Sequence, residues 1–462
     1  MIDAIQRLIS AAKEFLFSSR KAIADVLMSL APHAGRSAVG LITSILLARG
    51  LGPKGLGQFA LVLSVSDAVS SLTELGIGQT ALRYSSRSAS KGEAEGQFAI
   101  MRWAFRVRIA LVILLSLVIV IGAPLLANRI WNDPSLTPLL RIGMILPLLG
   151  VLAYVPVLYF QSLKRFGMNA VVLTGQSLLS LIGIIIIALF NAWSVSLVVL
   201  VSVLSAAAGA VVFLWLVPGR ALYARDQRNE RAWTSIQYWK VPQIQPMMQD
   251  SIDGTSANRF ALYMLLSKII VLLSFRVDIW LMGVYLDQSQ IGLYNVASRF
   301  ALPLYFVLIA VNNALLPRSA AVTAPQALKA MLRKTFRASG LIAAAAIVYA
   351  LVVPLLTPWV FGPSYAASVP LAQVLSLGHC AAIAATPVGL VGYNLGLARE
   401  YWMINLLQLV VVISILLVFL PVIGPMAGAV GFLSSAVVGG SLVSFLVWRK
   451  SKLLDGGRLT AS

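Results

Sequence analysis

The sequence predicts an all-α polytopic membrane protein: about twelve transmembrane helices in two parallel six-helix repeats around a central cavity. Three observations predict it. Hydrophobic residues fill 59% of the 462 positions and charged residues only 11%. A water-solvated domain carries roughly 25% charged residues, so lipid must solvate most of this chain. Apolar runs of spanning length recur twelve times, and the second six echo the first. The basic residues, 36 Lys+Arg against 16 Asp+Glu for a net charge of +20, fall mainly on alternate loops. In a soluble chain that excess would suggest nucleic acid; in a membrane chain it records topology, and no nucleic-acid partner is expected. One cysteine (Cys380) and two histidines (His33 and His379) leave no disulfide framework and no Cys- or His-rich metal site. Neither a metal nor an organic cofactor is expected.

A spanning helix needs roughly 20 mainly apolar residues. Spans 1–6 fall at 30–49, 56–80, 104–127, 139–162, 169–190 and 194–216; spans 7–12 fall at 262–286, 292–316, 339–361, 368–394, 402–421 and 427–448. The chain thus divides into an N-terminal interfacial helix (1–28), a first bundle (29–216), a cytoplasmic linker (217–261), a second bundle (262–448) and a basic tail (449–462). In the first segment Ile2, Ile5, Leu8, Ile9, Ala12 and Leu16 recur at helical spacing among polar residues, the pattern of a helix lying in the membrane interface. Lys13, Glu14, Arg20 and Lys21 interrupt it, so it is not the apolar core of a signal peptide. The linker carries Arg220, Arg225, Arg228, Arg231, Lys240 and Arg259 with Pro242, Pro246 and Gly254.

Of the 36 basic residues, 28 fall on one side of this arrangement. Arg49, Lys54, Arg129 and Arg141 fall on the other, and Arg36, Lys268, Arg276 and Arg299 lie within spans. The excess assigns both termini to the cytoplasm. Trp103, Trp131, Trp193, Trp215, Trp359, Trp402 and Trp448 sit at span ends, where an interfacial aromatic belt places them.

The halves resemble each other at an offset near 235. Gly57-Gln58-Phe59-Ala60 opens span 2 and Gly292-Leu293-Tyr294-Asn295 opens span 8. Pro124-Leu125-Leu126 with Trp131 falls against Pro354-Leu355-Leu356 with Phe361, and Tyr159 with Arg165 against Tyr393 with Arg399. Each half holds an even number of spans, so the repeats share one orientation, with a cavity between them near the midplane. Two bundles of this kind describe an alternating-access transporter.

Ionisable groups inside a bilayer cost about 2.5–3.5 kcal/mol each at the centre on insertion scales and therefore mark functional paths. Here they are Arg36 in span 1, Asp67 and Glu74 in span 2, Lys268, Arg276 and Asp278 in span 7, and Arg299 in span 8. All seven lie in spans 1, 2, 7 and 8, which the repeat pairs as equivalents. Asp67 and Glu74, seven apart, share one helical stripe; His33, Arg36, Gly40 and Thr43 share another. Four cations against three acids leave the lining net positive, suited to an anionic substrate such as a pyrophosphate or an acidic sugar. Plainer roles compete with this. Arg36 and Glu74 could pair as a packing bridge, and Lys268 or Arg299 could snorkel to an interface. Asp278 lies only two residues from Arg276 and so points away from it. His33, His379 and Cys380 fit packed or interfacial roles.

Ala48-Arg49-Gly50-Leu51-Gly52-Pro53-Lys54-Gly55-Leu56-Gly57-Gln58-Phe59-Ala60, followed by Glu74-Leu75-Gly76 and Arg83-Tyr84, resembles the span 1–2 region of the polysaccharide transporter family. That family includes the O-antigen flippases of the multidrug/oligosaccharidyl-lipid/polysaccharide exporter (MOP) superfamily. Asp278, Ile291-Gly292-Leu293-Tyr294, Pro317 and Phe361-Gly362-Pro363-Ser364-Tyr365 extend the resemblance over about residues 30–450; Leu56 stands where the family usually has an aromatic.

The resemblance implies a transporter that flips a polyprenyl-pyrophosphate-linked oligosaccharide from the cytoplasmic to the periplasmic leaflet of a bacterial inner membrane. It also implies a V-shaped pair of bundles, a cationic lumen and coupling to a proton or sodium gradient. On that reading Arg36, Arg276, Arg299 and Lys268 attract the substrate, and Asp67, Glu74 or Asp278 carries the coupling protonation. Membrane lipids, a polysaccharide polymerase and glycosyltransferases are the expected partners. No catalytic residue is expected: no Walker A loop occurs, and the longest outer loop, about 128–138 with Asp133 its only acid, is too short for an active site. A multidrug/cation antiporter of the same superfamily is the alternative, but it favours a net negative lining.

Overall fold

The computed structural model describes residues 20–74, 77–90, 92–163, 165–217, 276–320, 343–394 and 397–455, with a few isolated positions between 266 and 340 and side chains from Arg36 onward. The expected linker, the first 19 residues and the last seven lie outside the described residues. The described chain is helical throughout and polytopic. Two compact units emerge: Arg36–Gly292, and Leu293–Ser462 with the first 35 residues.

Spans 1 and 2 form the stretch Arg20–Glu74, broken at Gly52 (φ 66°, ψ 179°). That backbone region is accessible essentially only to glycine. Pro53 follows with its φ preset for a helical first turn, so Gly52-Pro53 stops one helix and starts the next. The helix before Gly52 runs unbroken through residue 28, where the sequence reading placed a segment boundary.

Span 3 is Ala94–Leu125, ending in a π-helical turn, Leu126–Ile130, just after Pro124; a proline inside a helix removes a backbone donor and disturbs the ladder there. Span 4 is Leu136–Gly143 continued by Ile145–Ser162, span 5 is Phe166–Leu189 and span 6 is Val195–Leu216. A short amphipathic helix, Ile77–Ser90, joins spans 2 and 3. In the second half, span 7 ends in Val277–Tyr285 and span 8 is Gln288–Ala320. Span 9 is Ala343–Phe361, and spans 10–12 are Ser368–Asn394, Ala398–Ile423 and Met426–Asp455.

Ten described helices are long and apolar enough to cross a membrane. The number is below twelve because spans 1 and 2 merge across Gly52 and because only the last part of span 7 is a continuous described helix.

Side-chain burial confirms lipid as the solvent. Along span 3 the buried face carries Gln97, Arg108 and Ser116, whereas the large apolar Leu114, Val118 and Ile121 are exposed. A water-soluble helix has the opposite polarity.

Contacts inside each unit reproduce the repeat. Asn169 Nδ2 donates to Val157 O at 3.2 Å, and Tyr401 Oη donates to Gly389 O at 2.6 Å, both positions shifted by 232. Gln176 packs on Gly209 in the first half and Gln408 on Gly439 in the second. Gln58 reaches Asp133 at 2.7 Å, and at the same offset of 235 Ser368 donates to Leu293 O at 2.9 Å. Around spans 4, 5, 10 and 11 the contact register is therefore two residues shorter than the Tyr159/Tyr393 and Arg165/Arg399 match, which does not align contacting positions.

Candidate functional site

Span 2 and span 7 pack antiparallel inside the first unit, and their contacts form a ladder. At the first turn of span 8, a Cβ on Gly292 would overlap the Pro53 carbonyl, and one on Gly57 would overlap the Gln288 carbonyl. One step along, Gly283 faces Leu61 and the Trp131 indole. Next, Trp280 Nε1 donates to Ser64 Oγ at 3.1 Å. The ladder ends on Arg276, whose Nη2 donates to Asp67 Oδ2 at 2.7 Å. Residues 57, 61, 64 and 67–68 lie on one face of a helix. The first two contacts are equivalents under the repeat: Pro53 and Gly57 occupy the repeat positions of Gln288 and Gly292, and each glycine meets the carbonyl four residues before the other.

The structure thus brings together two of the seven expected residues. Asp67 and Arg276 form an ion pair with side chains 52% and 31% exposed. Asp278, in the first turn of Val277–Tyr285, accepts the Ile279 N–H at 2.8 Å, where the helix dipole favours an acid. Glu74 is exposed at the end of span 2, and its carboxylate lies over Gly78, in the first turn of the next helix. Arg36 is exposed on span 1 and makes no ion pair with Glu74, so the expected packing bridge between them does not form. Arg299 is partly buried on span 8, in the other unit. Lys268 lies outside the described residues. No group of three or more potential metal ligands occurs among the described residues.

Two residues depart from the expectations. Trp131, read as an interfacial anchor, is 5% exposed. Its indole N–H donates to Trp280 O at 3.3 Å, and its own carbonyl accepts Gln288 Nε2 at 3.5 Å; a buried indole needs such a partner. Arg108, counted among the cytoplasmic cations, is 6% exposed, with its guanidinium 4.0 Å from the Tyr154 ring centre. That geometry stabilises a buried cation through the ring quadrupole. The signal that locates it is the inward stripe Ala104, Arg108, Val112 and Ser116, spaced by four along span 3.

Asp133 organises the loop after span 3. Its carboxylate accepts Ser135 Oγ at 2.6 Å, Ser135 N–H at 3.1 Å and Gln58 Nε2 at 2.7 Å. Burial alone would raise its pKa; these hydrogen bonds and the Lys54 charge outweigh that and hold it below the usual 3.8.

The fold is similar to that of solved membrane transporters and flippases. An inward-facing multidrug resistance MATE transporter of the MOP superfamily superposes with a TM-score of 0.66 at 12% identity, over 92% of this chain and 96% of its own. The lipid II flippase MurJ, in an inward closed conformation, gives 0.65 at 11% identity, over 95% of this chain and 94% of its own. A MOP transporter from Pyrococcus furiosus, described as having a binding pocket of reversed polarity, gives 0.57 at 12% identity over 92% and 94%. Residues 23–322 match the polysaccharide biosynthesis protein family, and the chain belongs to that family. No curated protein sequence matches it significantly.

Proposed function

We propose that this chain flips a polyprenyl-pyrophosphate-linked oligosaccharide from the cytoplasmic to the periplasmic leaflet of the bacterial inner membrane, by alternating access between its two six-helix bundles. Glycosyltransferases that build the substrate and a polymerase that consumes it are its partners, and both termini are cytoplasmic. The family and the fold support a transporter of the polysaccharide class. The observation that carries the substrate is the charge set of spans 1, 2, 7 and 8. With Asp67 and Arg276 neutralising each other, Arg36, Arg299 and Lys268 outnumber Glu74 and Asp278. A cationic lining attracts pyrophosphate and acidic sugars and opposes cationic drugs, so it favours this reading over the antiporter of the same fold.

The ion pair supports a coupling step. The anionic headgroup and the Asp67 carboxylate compete for the Arg276 guanidinium, so substrate binding and the state of the ion pair are linked. Glu74 and Asp278 are the other acids on the path. In a strain lacking its own flippase, R276A/R299A is expected to lower surface polysaccharide at least tenfold at unchanged membrane protein level; full export by that variant removes the charged path from the account. Uptake into proteoliposomes that ignores both proton and sodium gradients would count against coupling. A deletion strain that is drug-sensitive with normal surface polysaccharide would favour the antiporter.

A further inference from the structure

The second unit contains a cavity of about 300 Å³ between spans 10, 11 and 12, lined by Thr386, Asn405, Gln408, Ser435 and small residues such as Gly389 and Gly440. The repeat provides an internal standard for it. At the matching positions of spans 4, 5 and 6 stand Tyr154 for Thr386, Val157 for Gly389, Leu173 for Asn405 and Phe213 for Val443. There Phe213 is fully buried, and Tyr154, Val157 and Leu173 pack against the same apolar core. The supporting contacts persist in both halves: Gln176 on Gly209 against Gln408 on Gly439, and Ser205 Oγ to Ser202 O against Ser435 Oγ to Phe432 O. At these four positions the first half carries the larger side chain and the second the smaller, with the Asn405 amide at one of them, while Tyr401 and Phe432 of the lining stand where the first half has Asn169 and Ser202.

The lining specifies the ligand chemistry. Among the described residues of the lining the one ionisable side chain is Tyr401, which donates its hydroxyl to Gly389 O at 2.6 Å, so these residues offer a charged ligand no counter-ion. The hydroxyl hydrogens of Thr386 and Ser435 go to the Ala382 and Phe432 carbonyls, and Gln408 Nε2 goes to Ser435 O. What these groups turn to a ligand is mainly acceptor capacity, the Gln408 Oε1 and the hydroxyl lone pairs, beside the second Gln408 amide hydrogen. Ala382, Ala385 and Ala436 supply flat apolar walls. Oxygen acceptors beside apolar walls match a neutral ring that carries hydroxyl donors on its rim and C–H groups on its faces.

We propose that this cavity is a binding site for a neutral sugar ring, contained within the second bundle and separate from the charged residues of spans 2 and 7. The sugar-transport reading above makes such a ligand available, but the site can be tested without transport. Full-length protein in lipid nanodiscs is examined by saturation-transfer NMR with methyl β-glucoside and methyl N-acetyl-β-glucosaminide as probes. Transfer to the ring protons is expected in the parent and should fall at least fivefold in T386Y/V443F, which installs the side chains the other half already packs there. T386V, which removes a hydroxyl with little change in volume, and N405L, which replaces the amide with the side chain of Leu173, are each expected to lower it about twofold to fivefold. They also keep the test decisive if the double variant fails to fold. No transfer in the parent, or undiminished transfer in all the variants, overturns the proposal. Export measured in parallel separates the two readings. Sugar binding without export removes only the transport reading, and export without sugar binding removes only the cavity.

Discussion

Asp67 meets Arg276 at 2.7 Å with both side chains partly covered, and each would be costly alone at that depth. The structural value of such a pair lies in what breaking it leaves behind: a cation without its counter-ion. D67N is expected to destabilise the protein by about 1–3 kcal/mol, below the range for a fully buried pair because of the exposure. D67N/R276Q should recover most of that loss. A double-mutant cycle on thermal unfolding in detergent measures it, and a coupling under about 0.5 kcal/mol would sink the pair as a structural contact. Asp133 gives a pH test in the loop after span 3. Its folded pKa is depressed below 3.8, so the stability it contributes is present above that value and is lost as pH falls through the folded one. The D133N variant should therefore lose less stability than the parent between pH 4 and about pH 2, in unfolding series across that window. Parallel acid curves for the two proteins would contradict this. The candidate charges could be read from the sequence because an ionisable residue in an apolar run stands out. Which acid meets which base could not, since Asp67 and Arg276 are 209 positions apart. Arg108 was hidden for another reason: it lies one turn inside an apolar run whose edge is already basic.

At the scale of elements, span 2 is held by close backbone approach to the first turn of span 8 at one end and by charge to span 7 at the other. Gly57 and Gly292 allow that approach because any Cβ would strike a carbonyl of the facing turn, and backbone atoms yield little. G57A or G292A is expected to destabilise by about 1–3 kcal/mol through overpacking. G150A and G175A serve as controls, because a Cβ at either helical position meets nothing within 4 Å. They should be neutral or stabilising by roughly 0.5–1 kcal/mol, since alanine restricts the unfolded chain more than glycine does. Equal melting temperatures for G57A and G150A would refute the contact. The span 1–2 turn was legible, because Gly52-Pro53 encodes a stop and a start. The break within span 7 was not. Its continuous helix begins only after Arg276, whose φ of −132° is non-helical, and hydropathy does not register such a break. Trp131 was misread because span-end position predicts the interface but not whether a neighbouring helix covers it.

The repeat organises the molecule as a whole, and the two halves have solved one packing problem with exchanged residues. Where spans 5 and 6 cross, Gly183 receives Val201, whose methyl would lie 2.5 Å from a Cβ placed there. At the matching crossing of spans 11 and 12 the large residue is Ile415 and the glycine is Gly431, with 3.6 Å between the Ile415 methyl and that Cβ position. The sum of side-chain volumes is conserved while the helix that carries the bulk changes. Sequence alignment saw the offset but not this exchange, because neither glycine matches a glycine; only the paired contact reveals the equivalence. The exchange makes a prediction about duplicated architecture rather than about one site. G183I alone should overpack the first bundle and destabilise it by about 1–3 kcal/mol. V201G alone removes a packed side chain and inserts a second helix-interior glycine, for a loss of about 1–3 kcal/mol. Together, G183I/V201G recreates the arrangement of spans 11 and 12, so its loss should be smaller than either single loss. Thermal unfolding of the four proteins in one detergent provides the measurement. Additive losses would mean that the two crossings differ in geometry and that the repeat stops short of side-chain packing.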